Sequence, residues 1–286
     1  MTFAFKDIVR ASNDIQAEHY SARTKMQSGN LRKLLNYLNQ LVTFSDGIRL
    51  LDLGCGTGGL VSAIYQGYWP GSPSLNYQGV DLSHNMVKVA RRTYPDFGEF
   101  CVGDAENLPF PDNQFDVAVS NSVLHWLNVP EIRMTPAAAL QELCRVLKPD
   151  GWLAISVSGH GTARRFQQAF HSAIARWQND PEFNATLLRK DPLGNMTLAD
   201  LVDMTLSADL KILLGQLDYE PVFYEVTADY VTDVASYGYY PYMAAVPEAK
   251  RPQVWQAISE TFYTLVGPEN YYHDQYMNYL IARKSR

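Results

Sequence analysis

The chain has 286 residues, 47% of them hydrophobic, and a net charge of −6 from 24 basic and 30 acidic side chains. A chain of this size buries roughly 75% of its unfolded surface, so it needs no disulfide or metal staple. The acidic balance and the brevity of the basic runs (Arg91-Arg92, Arg164-Arg165, Arg283-Lys284) argue against a nucleic-acid partner. No apolar run reaches the 18 residues of a membrane span, and the N-terminus shows no apolar leader. Cys55, Cys101 and Cys144 are odd in number and lack metal-ligand spacing, so no metal is expected and the expected setting is the reducing cytoplasm.

Along the chain, residues 28–44 place Leu31, Leu34, Leu35, Leu38 and Leu41 at helical spacing, and Ser45-Asp46-Gly47 ends that helix. Residues 48–53 read as a short buried strand. An apolar run there ends at Asp52, and Gly54, Gly56 and Gly58 then alternate into a helix over 60–65. Tyr77 to Val80 form a second strand closed by Asp81, and Ser83 caps a helix reaching about Arg92. Strands follow over 98–102, 115–120 and 152–157, with a helix over 137–147 stopped by Lys148-Pro149-Asp150-Gly151. Such alternation predicts an α/β fold, a doubly wound parallel sheet with helices on both faces.

Residues 162–216 are expected to be mostly helical, 219–228 and 276–283 to be strands, and the Tyr-rich stretch of about 230–270 to form a lid. The expected organisation is an N-terminal helical cap (1–45), a ligand-binding core (46–158), and a remainder (159–286) holding further core strands and the lid.

A bare glycine backbone at a strand-to-helix turn admits a polar ligand tail close to the chain. The glycines alone leave its identity open, because Gly54, Gly56 and Gly59 also satisfy the dinucleotide pattern of a nicotinamide-dependent oxidoreductase. Four features discriminate: Asp52 before the glycines, Asp81 ending the second strand, GDAENLPFPDNQFDVAVSNS over 103–122, and RVLKPDGWLAIS over 145–156. In this order over residues 48–157 they resemble the class I S-adenosylmethionine-dependent methyltransferases.

The resemblance implies a Rossmann-like, seven-stranded fold with a C-terminal lid, and S-adenosylmethionine as cofactor, converted to S-adenosylhomocysteine. It also assigns residues. Asp52 and the backbone of Gly54, Gly56 and Gly58 would face the amino-acid end, and Asp81, with Leu82 beside it, the ribose hydroxyls, since a carboxylate accepts two bonds without donating. Asp104 would accept from the adenine amino group, Ala105 would offer its backbone N–H, and Met86 would pack on the ring. Asn121 would lie beside the cofactor's amino group, and Tyr20 would close over it.

The acceptor is read from the segment after the fourth strand. Ser120-Asn121-Ser122-Val123 lacks the Pro-Pro-Tyr found where exocyclic base amines are methylated. SVLHWL is similar to the corresponding segment of trans-aconitate, malonyl-carrier-protein and juvenile-hormone-acid methyltransferases, which methylate carboxylates; GDAENLPFPDNQFD is similar to quinone C-methyltransferases. The expectation is O-methylation of a small or carrier-bound acceptor. C- or N-methylation and a non-catalytic cofactor-binding module are the alternatives. His125 is the expected base or orienting group, because its charge changes near neutral pH. Trp126 and Tyr240 are the expected substrate contacts.

Overall fold

Apolar runs that end at small or acidic residues form the strands, and leucine-rich amphipathic segments form the helices that cover them. The computed structural model describes residues 10–11, 13–14, 17–18, 25–71, 74–127, 136–177, 179–180, 183, 196–237 and 246–285. In chain order these give α1 (Lys25–Asn39), β1 (Ile48–Leu53), α2 (Gly59–Tyr65), β2 (Leu75–Asp81), α3 (His84–Thr93), β3 (Glu99–Val102), β4 (Phe115–Asn121), α4 (Pro136–Val146), β5 (Leu147–Ser158) and α5 (Arg164–Ile174). There follow α6 (Leu198–Ser207), β6 (Leu210–Tyr219), β7 (Val222–Val226), α7 (Thr227–Tyr237), α8 (Arg251–Val266), β8 (Glu269–His273) and β9 (Tyr276–Lys284). No helix among the described residues is long and apolar enough to cross a membrane.

Seven strands form one sheet in the order β3-β2-β1-β4-β5-β9-β6. β1 to β5 run parallel, and β9 enters antiparallel between β5 and β6. Both faces are covered, so consecutive apolar strand residues divide between two cores. Leu50, Val117, Val119 and Ile281 pack on one face with Leu31, Leu34, Leu35 and Leu38 of α1. Leu51, Ala118, Leu153, Ile155 and Leu280 pack on the other with Leu140 and Leu143 of α4.

Helix α1 is pinned across its face by polar contacts at the sheet's far edge. Lys33 pairs with Asp218 (2.6 Å) and Glu220, and the Tyr37 hydroxyl donates to Asp218 (2.9 Å). This clamp fixes where the N-terminal turn of α1, carrying Gln27 and Ser28, meets the end of β4.

A third core lies apart from the sheet. Phe166 and Phe170 of α5, Tyr230 of α7, Val254, Ile258 and Phe262 of α8, and Tyr271 of β8 are all buried together. Their rings meet at centroid separations of 4.6 Å (Tyr230–Tyr271), 5.0 Å (Phe262–Tyr271) and 5.3 Å (Phe166–Phe262), spacings at which aromatic pairs attract.

The architecture departs from the sequence expectation in three places. The described part of 162–216 is mostly helical as expected, but its end, from Leu210, belongs to β6, the sheet's outer strand. A register shift between Ile212 and Leu214 moves the apolar side chains from one face to the other, so period-two alternation is broken within the strand itself. The 219–228 strand is shorter, Val222–Val226, and pairs with β8 in a separate two-stranded sheet. Pro221, which has no N–H, separates it from β6. Finally, α1 stops at Asn39 and Leu41 is 40% exposed, because Leu41 and Val42 both turn back onto the Leu38 carbonyl.

Candidate active site

The carboxyl ends of β1, β2 and β4 converge, and the polar groups of the sequence pattern gather there. β1 ends at Leu53, and Gly54, Gly56 and Gly58 adopt φ of 73°, 52° and 95°, the left-handed region that glycine enters at little cost. The absence of side chains is demanded from behind as well. A Cβ on Gly54 would lie 2.1 Å from Val123 Cγ2, and one on Gly58 2.5 Å from the Tyr94 ring. The turn is held by its own amides: Gly54 and Cys55 N–H donate to the Val80 carbonyl, and Gly58 N–H to that of Cys55.

Asp81 ties this turn to the next one. Its Oδ2 accepts from Gly56 N–H (2.9 Å) and its Oδ1 from Ser83 N–H (2.9 Å). Each oxygen retains a lone pair, so the carboxylate is oriented by the protein and still able to accept two more bonds. Burial raises its pKa and the charge of Asp14 adds to the rise, while the backbone donors of Ser83, Gly56 and Leu82 oppose it. Ser83 caps α3 by accepting from Met86 N–H (3.1 Å), as the sequence predicts. Its hydroxyl donates to Asp14, which the sequence did not reveal.

Asp52 is 4% exposed and accepts from the Tyr77 hydroxyl at 2.7 Å. Burial pushes its carboxyl up to about 7; the Tyr77 bond opposes this and the charge of Asp81 adds to it. Asp104 holds its own loop, accepting from Glu106 N–H at 3.0 Å. The Asn121 side chain accepts from Ser156 (2.6 Å) and donates to the Gln27 carbonyl (3.2 Å), which joins β4 and β5 to α1.

Two adjoining cavities lie over these groups, each about 850–860 Å³ of empty space out to its mouth. Gln27, Gly54, Gly56 and Asn121 border both. Asp52 and Gly58 line the first, with Arg32 and Tyr94; Asp81, Leu82, Met86, Asp104, Ala105 and Trp126 line the second. Of the sequence-predicted residues, the structure therefore brings eleven to one site. His125 lines neither of these cavities, and Tyr20 and Tyr240 lie outside the described residues. Sequence reasoning missed Gln27, Arg32, Tyr77 and Tyr94. Their roles depend on contacts across 25 or more residues or on burial of a helix face, and no local pattern encodes either.

His125 sits in the short 3₁₀ turn Leu124–Leu127 that follows β4. It is 6% exposed, its ring centroid is 5.1 Å from that of Trp126, and its Nδ1 has no hydrogen-bond partner among the described residues. Burial lowers its pKa to about 4, so the ring is neutral at pH 7. No cluster of three or more metal-ligating side chains occurs among the described residues.

The residues fit a zwitterionic nucleoside. The second cavity offers spare carboxylate lone pairs and an apolar Met86 wall; the first has Asp52 and Arg32 as the charged side chains among its described lining residues.

Residues 51–155 match the family model described as a methyltransferase domain. The chain is similar to a malonyl-acyl-carrier-protein O-methyltransferase of Geobacter sulfurreducens, 33% identical over 163 residues, 55% of either protein. It is also similar to a demethylmenaquinone methyltransferase of Renibacterium salmoninarum, 32% identical over 171 residues, 59% of this chain and 67% of that one. Its fold matches the crystal structure of a SAM-dependent methyltransferase from Methanosarcina mazei with a TM-score of 0.51 at 17% identity, over 87% of this chain and 97% of that one. The chain thus spans just over half of the Geobacter relative's length.

Proposed function

From its membership of the class I S-adenosylmethionine-dependent methyltransferases, we propose that this chain methylates a carboxylate oxygen of a small or carrier-bound acceptor. The cofactor supplies a methyl group activated by a sulfonium. In this reading Asp81 accepts from the ribose hydroxyls, Asp104 and Ala105 meet the adenine edge, and Met86 covers its face. Asp52 meets the ammonium of the amino-acid end, beside Gly54, Gly56, Gly58 and Asn121. Holding donor and acceptor in register is worth about 7–11 kcal/mol of barrier.

The state of His125 carries the choice of acceptor. A base is most useful when its pKa lies near the working pH, and burial holds His125 at about 4. A hydroxyl or amine acceptor needs a proton removed; a carboxylate does not. A neutral imidazole still carries one N–H, which suits it to orient a carboxylate by hydrogen bonding, with Trp126 as an apolar wall. The Geobacter relative, a malonyl-carrier-protein O-methyltransferase, supports the same reading. The Renibacterium relative supports the second one, methylation of an aromatic carbon.

Methyl-labelled S-adenosylmethionine separates the two. With a panel of half-thioester dicarboxylates and quinols, label is expected in products that release methanol in mild alkali, as esters do. Label that stays on the acceptor after alkali would overturn the carboxylate reading in favour of carbon or nitrogen.

A further inference from the structure

β1 and β2 run parallel with Asp52 opposite Gly79. Tyr77 stands two residues before Gly79, hence on the same face of the sheet. A Cβ on Gly79 would lie 2.9 Å from the Tyr77 hydroxyl, 2.9 Å from Phe100 Cδ1 and 3.0 Å from Cys55 Cβ. Its absence opens the lane along which the hydroxyl reaches Asp52 Oδ2. The Tyr77 ring is 2% exposed and set by Phe97 and Phe100, whose centroids lie 5.4 and 5.3 Å away. The buried hydroxyl holds one carboxylate oxygen and so orients the group.

The surroundings leave that carboxylate short of positive charge. Asp81 faces it from β2 and Cys55 from the glycine turn, while Tyr94, at the end of α3, faces Tyr77. Arg32 of α1 borders the same cavity, yet it is exposed, with Nε on the Ser28 carbonyl (3.2 Å) and its guanidinium over the Tyr68 ring. A buried carboxylate held in place without a cation is a receptor for one.

We propose that Tyr77 is a positioning residue of the cofactor site: Gly79 admits its hydroxyl to one oxygen of Asp52, and the carboxylate so fixed receives the ammonium of the cofactor's amino-acid end. This rests on the cofactor placement proposed above. The ionised carboxylate is the form that binds an ammonium, so affinity rises with pH through the Asp52 range near 7 and falls below it. The Tyr77 bond favours the ionised form; without it the midpoint moves to higher pH.

Calorimetry with two ligands tests this. S-adenosylhomocysteine carries the amino-acid end, and 5′-methylthioadenosine is a thioether nucleoside without it. In Tyr77→Phe, S-adenosylhomocysteine is expected to bind about tenfold more weakly at pH 7, the worth of one hydrogen bond to a charged group. Methylthioadenosine binding stays within about twofold. Measured from pH 6 to 9, the ratio of mutant to wild-type dissociation constants for S-adenosylhomocysteine cancels the ligand's own titration, and it is expected to narrow as pH rises. Gly79→Ala, which keeps the hydroxyl but crowds its lane, should reproduce the selective loss. Equal weakening of both ligands would make Tyr77 a packing residue, and unchanged binding of both would leave it no role; either overturns the proposal. Wild-type protein that binds S-adenosylhomocysteine no tighter than methylthioadenosine would overturn the placement of the amino-acid end itself.

Discussion

In the aromatic core between α5, α7, α8 and β8, His273 Nδ1 stands 3.1 Å from the Tyr230 hydroxyl, and the ring is 3% exposed. At the end of β4, His125 is buried almost as deeply, and its Nδ1 has no hydrogen-bond partner among the described residues. Burial holds both rings near pKa 4, hence neutral. The difference lies in satisfaction. A buried polar atom left unpaired costs about 1–3 kcal/mol. In the aromatic core the histidine is paired, with the Tyr230 hydroxyl. The sheet end leaves one open beside the residue, Trp126, that walls the second cavity.

The largest effect expected from this contrast belongs to the aromatic core. Phe262→Ala removes a fully buried ring that meets Phe166, Tyr230 and Tyr271, and should cost about 3–5 kcal/mol in urea unfolding. The folded fraction should bind S-adenosylhomocysteine as before; weakened binding would show that the two regions are one functional unit. Next, Asp81→Ala should weaken that ligand by at least about 100-fold, or about 2.7 kcal/mol, by calorimetry on folded protein. Unchanged affinity would dissolve the cofactor site.

The smallest effects separate the two histidines. Tyr230→Phe strands His273 Nδ1 and should cost about 1–3 kcal/mol at pH 7. His125→Met strands nothing and should leave stability at pH 7 unchanged or raised, while lowering turnover far more than cofactor affinity. The stability held by each neutral ring is full above about 6.5 and is lost as pH falls through about 4. Urea midpoints between pH 7 and 4 should therefore fall less steeply in His125→Met than in wild type. Equal slopes with full turnover would make His125 an ordinary core residue.

The two regions were also unequally legible. Around the glycine turn, local chemistry carries the information: Asp52 before the turn, Asp81 at a strand end and Ser83 at a helix start each sit where a short segment demands them. What escaped there was lateral. Tyr77 reaches Asp52 only because two strands align with Gly79 between them, and Asp14 meets Ser83 across 69 residues. Beyond β5 the last strand was legible, 276–283 against Tyr276–Lys284, but the stretch before it was less so. The bulge in β6 erased its alternation, and β7 finds β8 more than 40 residues later, a pairing set by packing of α7 and α8 rather than by any turn. The domain division and the lid expected over 230–270 rest on the same late region, where Tyr240 lies outside the described residues.

The position of β9 bears on how the chain is made. β5 ends at Ser158 and its partner begins at Tyr276, so 118 residues must be synthesised after one side of the ladder before the other exists. At 5–20 residues per second, that is roughly 6–24 s during which the apolar edge of β5 emerges unpaired. An open edge of that kind invites pairing with other chains. Nascent chains halted between Ser158 and Tyr276 are therefore the ones expected to aggregate or to engage a chaperone.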